Sequence, residues 1–457
     1  MTPFFKNNTV NFPPETPNFR PVSIQEVEIS DPLPAVSALD SASGQTYQRA
    51  LSLVRLHRQP LGLVALSLSE NGLMPADYAC RIWEVLSAQI KAHLHDDGLP
   101  DVDHLGPDGI SLSRAPDCLK ARNTLLSDAP FVSIVIATRD RPASLVRCVE
   151  SLLALNYPSY EIIVVDNVPS SSATADLIRQ RYGDLDQVHY LSEPLPGLAN
   201  AHNRGLMAVQ APIVAFTDDD VVVDTLWLAE LVKGFDVTGN VGCVTGMILP
   251  AELQTPAQMW IEQYGNFNKG FTQRIFDLNE NRPDNPLYPY AAGMFGSGAN
   301  MAFKTSVLRR IGGFDPALGA GSGGCGGDDL AAFFDVITKG YTLVYKPSAM
   351  IWHRHHREYA RLRKLTYGYG VGLTAYLMKT LIDRPNRIID FATRIPRGFI
   401  YAMNPRSSKN RRKSTDYPRE LTNIERKGML YGPVAYLGSR WRSRKTWQRI
   451  GFLEKSQ

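Results

Sequence analysis

Ile213-Val214-Ala215-Phe216-Thr217-Asp218-Asp219-Asp220 passes within eight residues from an apolar run to three consecutive carboxylates. The apolar part reads as a buried strand. Three negative charges at its C-terminal end repel one another unless a cation sits among them. Asp218 and Asp220 flank Asp219, a D-x-D spacing that can offer two hard oxygen ligands to one divalent cation. Asp224-Thr225-Leu226-Trp227 follows as a helix start, so the acids lie at a strand-to-helix turn. In an open α/β sheet, ligands bind at such turns, outside the carboxyl ends of the strands. A plainer reading makes these acids helix caps; three of them after a buried strand favour metal and phosphate.

The flanking sequence repeats the strand–helix alternation. Phe131–Ala137 reads as a buried strand, with Pro142 suited to the first turn of the next helix. Tyr160–Asp166 is a second strand tipped by Asp166, and helix 173–182, strand 187–191 and helix 197–209 lead to the acidic strand. This series predicts an α/β fold with a mostly parallel sheet flanked by helices. The turn after the first strand is A-T-R-D-R-P, which lacks the glycines of a dinucleotide fingerprint and argues against NAD or FAD. Further on, a helix at 225–236 and a strand at Val241–Leu249 precede a less regular section to Tyr290. The glycine run Gly319–Gly327, of a kind most often flexible, delivers Asp328 and Asp329 into a helix N-terminus. A strand at Tyr341–Tyr345 and the segment Met350–Arg357 end this domain.

Residues 1–20 are rich in Pro and Asn and are expected to be disordered. Residues 21–128 read as a small α+β accessory domain: strands at Val22–Ile29, Ala50–Leu56 and Leu61–Leu68, a helix at Ala76–His95, then a linker over 99–129. His93 and His95, at the end of that helix, are expected on the surface. Residues 129–357 form the main domain, and 358–457 a basic, mainly helical region. The chain of 457 residues is long enough for two or three cores, and its 44% hydrophobic and 21% charged content is ordinary for a globular protein.

The net charge of +4 conceals an asymmetry. Residues 350–457 hold 24 Lys and Arg against 7 Asp and Glu, a net +17, which leaves −13 on the rest. That pattern suggests a polyanionic partner or an anionic membrane surface. The aromatic and aliphatic residues beside Arg and Lys in 359–379 fit a peripheral membrane helix or a flap over a site, and equally a helix packed on the main domain. Residues 404–420 read as an exposed basic loop, and no nucleic-acid motif accompanies it. The five cysteines are scattered without a C-x-x-C pair, so reduced thiols are expected rather than disulfides or a zinc site. The N-terminal stretch has no apolar core of a secretory signal, and Leu365–Met378 is too short to span a bilayer. The expected location is cytoplasmic, with peripheral contact at the inner face of the membrane.

Eight short motifs recur here in one order: S-I-V-I-A-T-R-D-R-P, I-I-V-V-D-N, P-G-L-A-N-A-H-N-R-G, F-T-D-D-D-V, G-S-G-A-N-M-A-F, G-G-F-D, G-G-D-D-L and W-H-R-H-H-R. Together they resemble inverting glycosyltransferases of family 2, with the GT-A nucleotide-diphosphosugar fold, over Phe131 to about Arg357. Where the family usually has Glu-Asp, this chain has Asp328-Asp329.

The resemblance implies sugar transfer from a nucleotide-diphosphosugar, expected to be UDP-linked, to an acceptor hydroxyl. That acceptor could be a glycan, a lipid-linked sugar or a small molecule, as in polysaccharide and cell-envelope synthesis. It implies that Ala137, Thr138 and Asp166 hold the base and ribose, and that Asp218 or Asp219 touches the ribose. Asp220 would bind Mn²⁺ or Mg²⁺, which neutralises the diphosphate leaving group. Asp329, with Asp328 beside it, would deprotonate the acceptor. Arg204 would reach the nucleotide or its phosphates, or remain a surface helix arginine. His353 would complete the metal shell, or belong with His355 and His356 to a basic edge. A sugar nucleotidyltransferase and a non-catalytic nucleotide-sugar-binding protein are the alternative readings.

Overall fold

The computed structural model describes residues 19–449, apart from 112–113, 405–406, 408 and 415. The disorder expected of residues 1–20 therefore falls almost wholly outside the described residues.

The N-terminal unit holds β1 (Ser23–Glu28), β2 (Arg49–Leu56), β3 (Gln59–Ser67), α1 (Pro75–Asp96) and α2 (Asp117–Ser127). The main domain follows with β4 (Val132–Thr138), α3 (Pro142–Leu153), β5 (Tyr160–Asn167), α4 (Ala173–Tyr182), β6 (Val188–Glu193), α5 (Leu198–Ala208) and β7 (Ile213–Asp218). Its second half is β8 (Val221–Val223), α6 (Trp227–Lys233), β9 (Val241–Pro250), α7 (Pro256–Gly265), β10 (Arg274–Phe276), β11 (Asn300–Lys304), α8 (Thr305–Ile311), α9 (Asp328–Thr338) and β12 (Thr342–His353). Three helices close the chain: α10 (Tyr359–Asp383), α11 (Ile388–Met403) and α12 (Arg419–Arg449).

The main sheet runs β10-β12-β9-β11-β7-β4-β5-β6, with β8 added beside β12. Strands β7, β4, β5 and β6 are mutually parallel, as are β9 and β12; β11 is antiparallel to both neighbours and joins the two sets. This is the helix-flanked α/β sheet that the strand–helix alternation predicts, with antiparallel pairs at β8, β10 and β11 beside the expected parallel ones. Side chains alternate across it. Ile134, Ile136, Val164 and Ala215 enter a core beneath α3, α4 and α6, while Val135, Val165, Val214 and Phe216 enter the core on the opposite face with α5, α8 and α9. Burial of both faces is why these strands read as continuous apolar runs.

Register sets the functional edge. Thr138 pairs with Asp166 across β4 and β5, and Ala137 pairs with Asp218 across β4 and β7. The C-terminal ends of three adjacent strands therefore finish side by side. On the other flank His353 pairs with Val221 of β8, and the Arg354 N–H donates to the Asp220 carbonyl, which brings the end of β12 to the acidic triplet.

Several expectations are corrected. Residues 99–129 are more than a linker: Leu99, Leu105 and Ile110 are buried in the N-terminal core and residues 117–127 form α2. His95 is exposed as expected, but His93 is largely buried against His57 and Asp97. The irregular section before Tyr290 contains α7, started by Pro256 and a Thr255–Gln258 capping box. The two segments at 341–357 are one strand, β12, with a register irregularity between Lys346 and Met350.

The glycine run is packed. A Cβ at Gly372 of α10 would come within 2.8–3.2 Å of the Gly326 backbone, and the Gly323 N–H donates to Ser439 Oγ of α12. In the basic loop, parts of which lie outside the described residues, Lys409 pairs with the buried Glu425 and Lys413 lies over the Tyr417 ring.

Candidate active site

Asp218 closes β7 and Asp220 opens the turn into β8, so alternate carboxylates of the triplet face the same way. His353, the last residue of β12, meets them: its Nε2 lies 2.9 Å from Asp220 Oδ1, and the ligand atoms of all three residues fall within 4.8 Å of one another. Two carboxylates and an imidazole at that spacing form a donor set suited to a divalent cation.

The three groups strongly shift one another's ionisation. Burial, then the charge of Asp220, pushes the Asp218 carboxyl up to about 7. Burial also opposes ionisation of Asp220, but the His353 charge and hydrogen bond outweigh it and hold that carboxyl well below its usual range. The same pair lifts His353 to about 9 against its own desolvation.

Asp219 points the other way. It accepts from Thr138 Oγ1 at 2.6 Å and from Arg141 Nη1 at 3.1 Å. The same Arg141 nitrogen lies 3.1 Å from Asp220 Oδ2. Asp166 is fully buried; one oxygen accepts from Tyr190 Oη at 3.2 Å, and the other has no partner among the described residues. Burial raises its pKa. A buried carboxylate oxygen left unpaired is costly, and it sits beside Thr138 where a ligand's hydroxyl or imide proton could satisfy it.

Asp328 and Asp329 open α9 facing different surroundings. Asp328 is buried, with its Oδ2 3.8 Å from Nδ1 of the fully buried His202. Burial, then the neighbouring Asp329, pushes it up to about 8. Asp329 is half-buried and held by two backbone donors, Gly298 N–H to Oδ2 and Leu330 N–H to Oδ1, both at 2.8 Å. Burial still leaves its pKa raised. Its charge is among those acting on Asp218, so it lies near the Asp218–Asp220–His353 cluster. Gly298 belongs to the G-S-G-A-N-M-A-F segment, whose Asn300 is a structural residue. Asn300 accepts from Trp227 Nε1 and donates to the Met247 and Ala349 carbonyls.

Thus Ala137, Thr138, Asp166, Asp218, Asp219, Asp220, Asp329 and His353 gather along one edge of the sheet, with Asp328 just beneath. Arg204 does not join them: it is half-buried on α5 with no hydrogen bond or ion pair among the described residues. His355 is buried against Glu262 at 2.5 Å; its ring packs edge-on against that of His353, with centroids 4.5 Å apart, but it is not one of the three converging ligand residues. Two residues were missed. Arg141, in the turn after β4, could have been found from its place in the A-T-R-D-R-P motif. Lys269 donates to the Asn266 carbonyl, and its burial, then Arg412, pushes it down to about 7 against the pull of Asp329. It lies in a stretch without periodicity, where no sequence signal marked it.

Residues 133–312 match the family described as Glycosyl transferase family 2. Among curated proteins, the chain is 28% identical over 240 residues to the pre-mycofactocin glycosyltransferase of Mycobacterium tuberculosis, covering 52% of this chain and 46% of that protein. It is 24% identical over 195 residues to the glucosyl-dolichyl phosphate glucuronosyltransferase of Haloferax volcanii, covering 41% and 57%. Similarity to the poly-β-1,6-N-acetyl-D-glucosamine synthase of Staphylococcus epidermidis is 25% over 224 residues, covering 48% and 49%. The matches thus span about half the length of these relatives. Among solved structures, a mannosyltransferase of Pyrobaculum calidifontis in complex with GDP-Man and Mn²⁺ superposes with a TM-score of 0.40 at 17% identity, over 68% of this chain and 74% of the other.

Proposed function

We propose that this protein transfers a sugar from a nucleotide-diphosphosugar, UDP-linked in the first instance, to an acceptor hydroxyl with inversion. The observation that carries the reading is the convergence of Asp218, Asp220 and His353 at the sheet edge, with Asp329 near enough for its charge to act on Asp218. Asp218, Asp220 and His353 would hold Mn²⁺ or Mg²⁺, which when bound supplies positive charge to the diphosphate leaving group. Asp218 thereby moves from the expected ribose contact to the metal set. The unpaired Asp166 oxygen and the ends of β4 receive the nucleoside. Arg141 holds Asp219 and Asp220 in place from the far side.

Asp329 accepts the acceptor's proton as the new C–O bond forms at the anomeric carbon and the bond to the phosphate oxygen breaks, the electron pair leaving on the phosphate. Its backbone donors fix the orientation of the carboxylate, and its raised pKa makes it a better base than a free one. Asp328, with a carboxyl held mostly protonated at neutral pH, adds little repulsion beside it. Thermal shift is the direct test. UDP should raise the melting temperature more with Mn²⁺ than with EDTA, and equal shifts would remove the metal from the site; GDP in parallel reads nucleotide preference.

A specific surface supports peripheral membrane contact and a lipid-linked or glycan acceptor. No helix among the described residues is long and apolar enough to cross a membrane. On α12, however, Leu430, Val434, Leu437 and Trp441 are exposed at helical spacing, and on α11 so are Ile388, Ile389, Ile395 and Ile400. Such a face, within the segment of net +17, suits the inner surface of an anionic bilayer. Relatives named for dolichyl phosphate and polysaccharide chemistry support the same acceptor classes.

A further inference from the structure

Away from the active site, four metal-ligating side chains from three parts of the N-terminal unit meet at one point. His57 stands in the tight turn between β2 and β3, His93 in the last turn of α1, Asp97 immediately after it, and Cys118 in the first turn of α2. His57 Nδ1 lies 2.7 Å from Asp97 Oδ2 and 3.1 Å from His93 Nε2. His93 Nε2 and Cys118 Sγ each lie 3.1 Å from the same Oδ2, and all four ligand atoms fall within 4.8 Å of one another.

Hydrogen bonds alone cannot satisfy this arrangement. Each imidazole nitrogen presents either a proton or a lone pair toward its neighbours. To bond the carboxylate, both nitrogens must carry protons; to bond each other, one of them must not. One edge of the triangle always sets like against like. The His57 side chain is fully buried and its Nε2 has no partner among the described residues, so the ring is held by this cluster alone. A cation at the centre satisfies every lone pair at once.

The donor set selects the cation. Two imidazoles, a thiol and a carboxylate match zinc, whereas the oxygen-rich site at Asp218 and Asp220 suits harder ions. A tetrahedral zinc site with bonds of about 2.0–2.3 Å has edges of about 3.3–3.7 Å. The four contacts of 2.7–3.1 Å would each lengthen by about 0.2–0.6 Å to reach those edges. The supporting shell is present as well. Asp97 Oδ1 accepts from the Cys118 N–H at 2.8 Å, leaving Oδ2 for the metal, and Glu28 accepts from the His57 and Arg58 N–H groups and steadies the turn.

We propose that His57, His93, Asp97 and Cys118 form a structural zinc site that ties the β2–β3 turn and the end of α1 to the start of α2. Binding releases the Cys118 thiol proton to solvent and uses both imidazoles in their neutral form. The consequence reaches the main domain, because α2 carries Arg122. Arg122 Nη2 lies 3.1 Å from Glu230 of α6, both side chains being buried, and Glu230 also accepts from Gln59 and Ser348. The zinc site therefore fixes the helix through which the N-terminal unit docks.

Metal analysis and cobalt substitution of the full chain test this. The expected result is one zinc per chain retained through gel filtration. After chelation and reloading with Co²⁺, a thiolate-to-cobalt charge-transfer band should appear. The band should be lost in Cys118→Ala and retained in Asp220→Asn, which separates this site from the other cluster. Zinc removal should also lower the melting temperature of Asp220→Asn. If stripped wild-type protein binds neither Zn²⁺ nor Co²⁺ with a thiolate band, or if the band survives Cys118→Ala, the proposal is overturned and the cluster is a polar network only. Should Cys118→Ala not fold, the wild-type cobalt spectrum decides by itself.

Discussion

Replacing Asp329 and Asp328 in turn by Asn should give two variants that differ in kind. Asp329 accepts one backbone N–H on each oxygen. An amide keeps one of these bonds and turns its NH₂ toward the other donor, which costs about 1–3 kcal/mol and leaves the fold intact. It also removes the proton acceptor, so turnover should fall by ~10²–10⁴-fold, while UDP and Mn²⁺ still bind. At Asp328 burial and the neighbouring Asp329 charge outweigh the backbone N–H groups that act on it. Its carboxyl is raised to about 8 from 3.8, so the folded state holds the proton more tightly than the unfolded chain. Wild-type stability therefore declines as pH climbs from about 4 to about 8, by at most about 1.4 kcal/mol per pH unit from this group. Asp328→Asn removes that slope, so its melting temperature should gain on wild type between pH 5 and pH 8 with only a mild loss of turnover. Nucleoside diphosphate release over a donor and acceptor panel, beside calorimetric binding, reads the first pair of effects. Melting curves across pH read the second. Turnover that survives Asp329→Asn but not Asp328→Asn would shift the base by one residue; indifference to both would end the glycosyl-transfer reading.

His353→Ala should raise the Mn²⁺ concentration needed for half-maximal turnover, with partial rescue by excess Mn²⁺; an unchanged metal titration would take His353 out of the shell. Arg55 is 1% exposed and pairs with Asp224 at 2.7 Å and Glu26 at 2.6 Å. Arg55→Ala leaves the Asp224 carboxylate buried without its partner and should cost about 3–5 kcal/mol in urea unfolding, and a loss below 1 kcal/mol would mean that water replaces the guanidinium. Cosedimentation with anionic vesicles should exceed that with neutral ones at low salt and fade as salt shortens the screening length. Equal binding to both lipids would rule out the charge-led contact. Leu430→Asp with Leu437→Asp should weaken any such binding without changing the melting response to UDP and Mn²⁺.

Periodicity carried the main sheet because its strands are buried on both faces and leave uninterrupted apolar runs between amphipathic helices. The strand-end position of the acidic triplet was legible for the same reason: the apolar run buried on both faces stops where Asp218, Asp219 and Asp220 begin. The division of labour within the triplet was not, because it depends on β8 and β12 bringing His353 to one side and Thr138 and Arg141 holding Asp219 on the other. Lys269 was invisible, since its significance is its burial near Asp329 and not its sequence neighbours. The cluster around Asp97 escaped for a related reason. Its ligands are separated by 36, 4 and 21 residues along the chain, from His57 to His93 to Asp97 to Cys118. Only His93 and Asp97 are close in sequence, and the meeting with His57 and Cys118 is made by tertiary packing. The helix α2 was obscured by its weak amphipathicity, since Arg122 is the one buried residue it contains.

The contact between Gly326 and Gly372 has a mechanical consequence. Backbone rests on backbone there, with no side chain to yield, and the next residues of the loop are Gly327 and the acids at 328 and 329. A Cβ at Gly327 would likewise lie 2.6 Å from the Gly372 carbonyl oxygen. Helix α10 in turn meets α12 through Gly370, Gly428 and Gly432, each too close to opposing backbone to admit a methyl group. The two helices and the loop thus behave as one stiff strut whose outer end bears the apolar face of α12 and whose inner end bears the proposed base. With backbone against backbone at each step, a displacement of the outer helix has little side-chain slack to absorb it before it reaches the loop that carries Asp328 and Asp329.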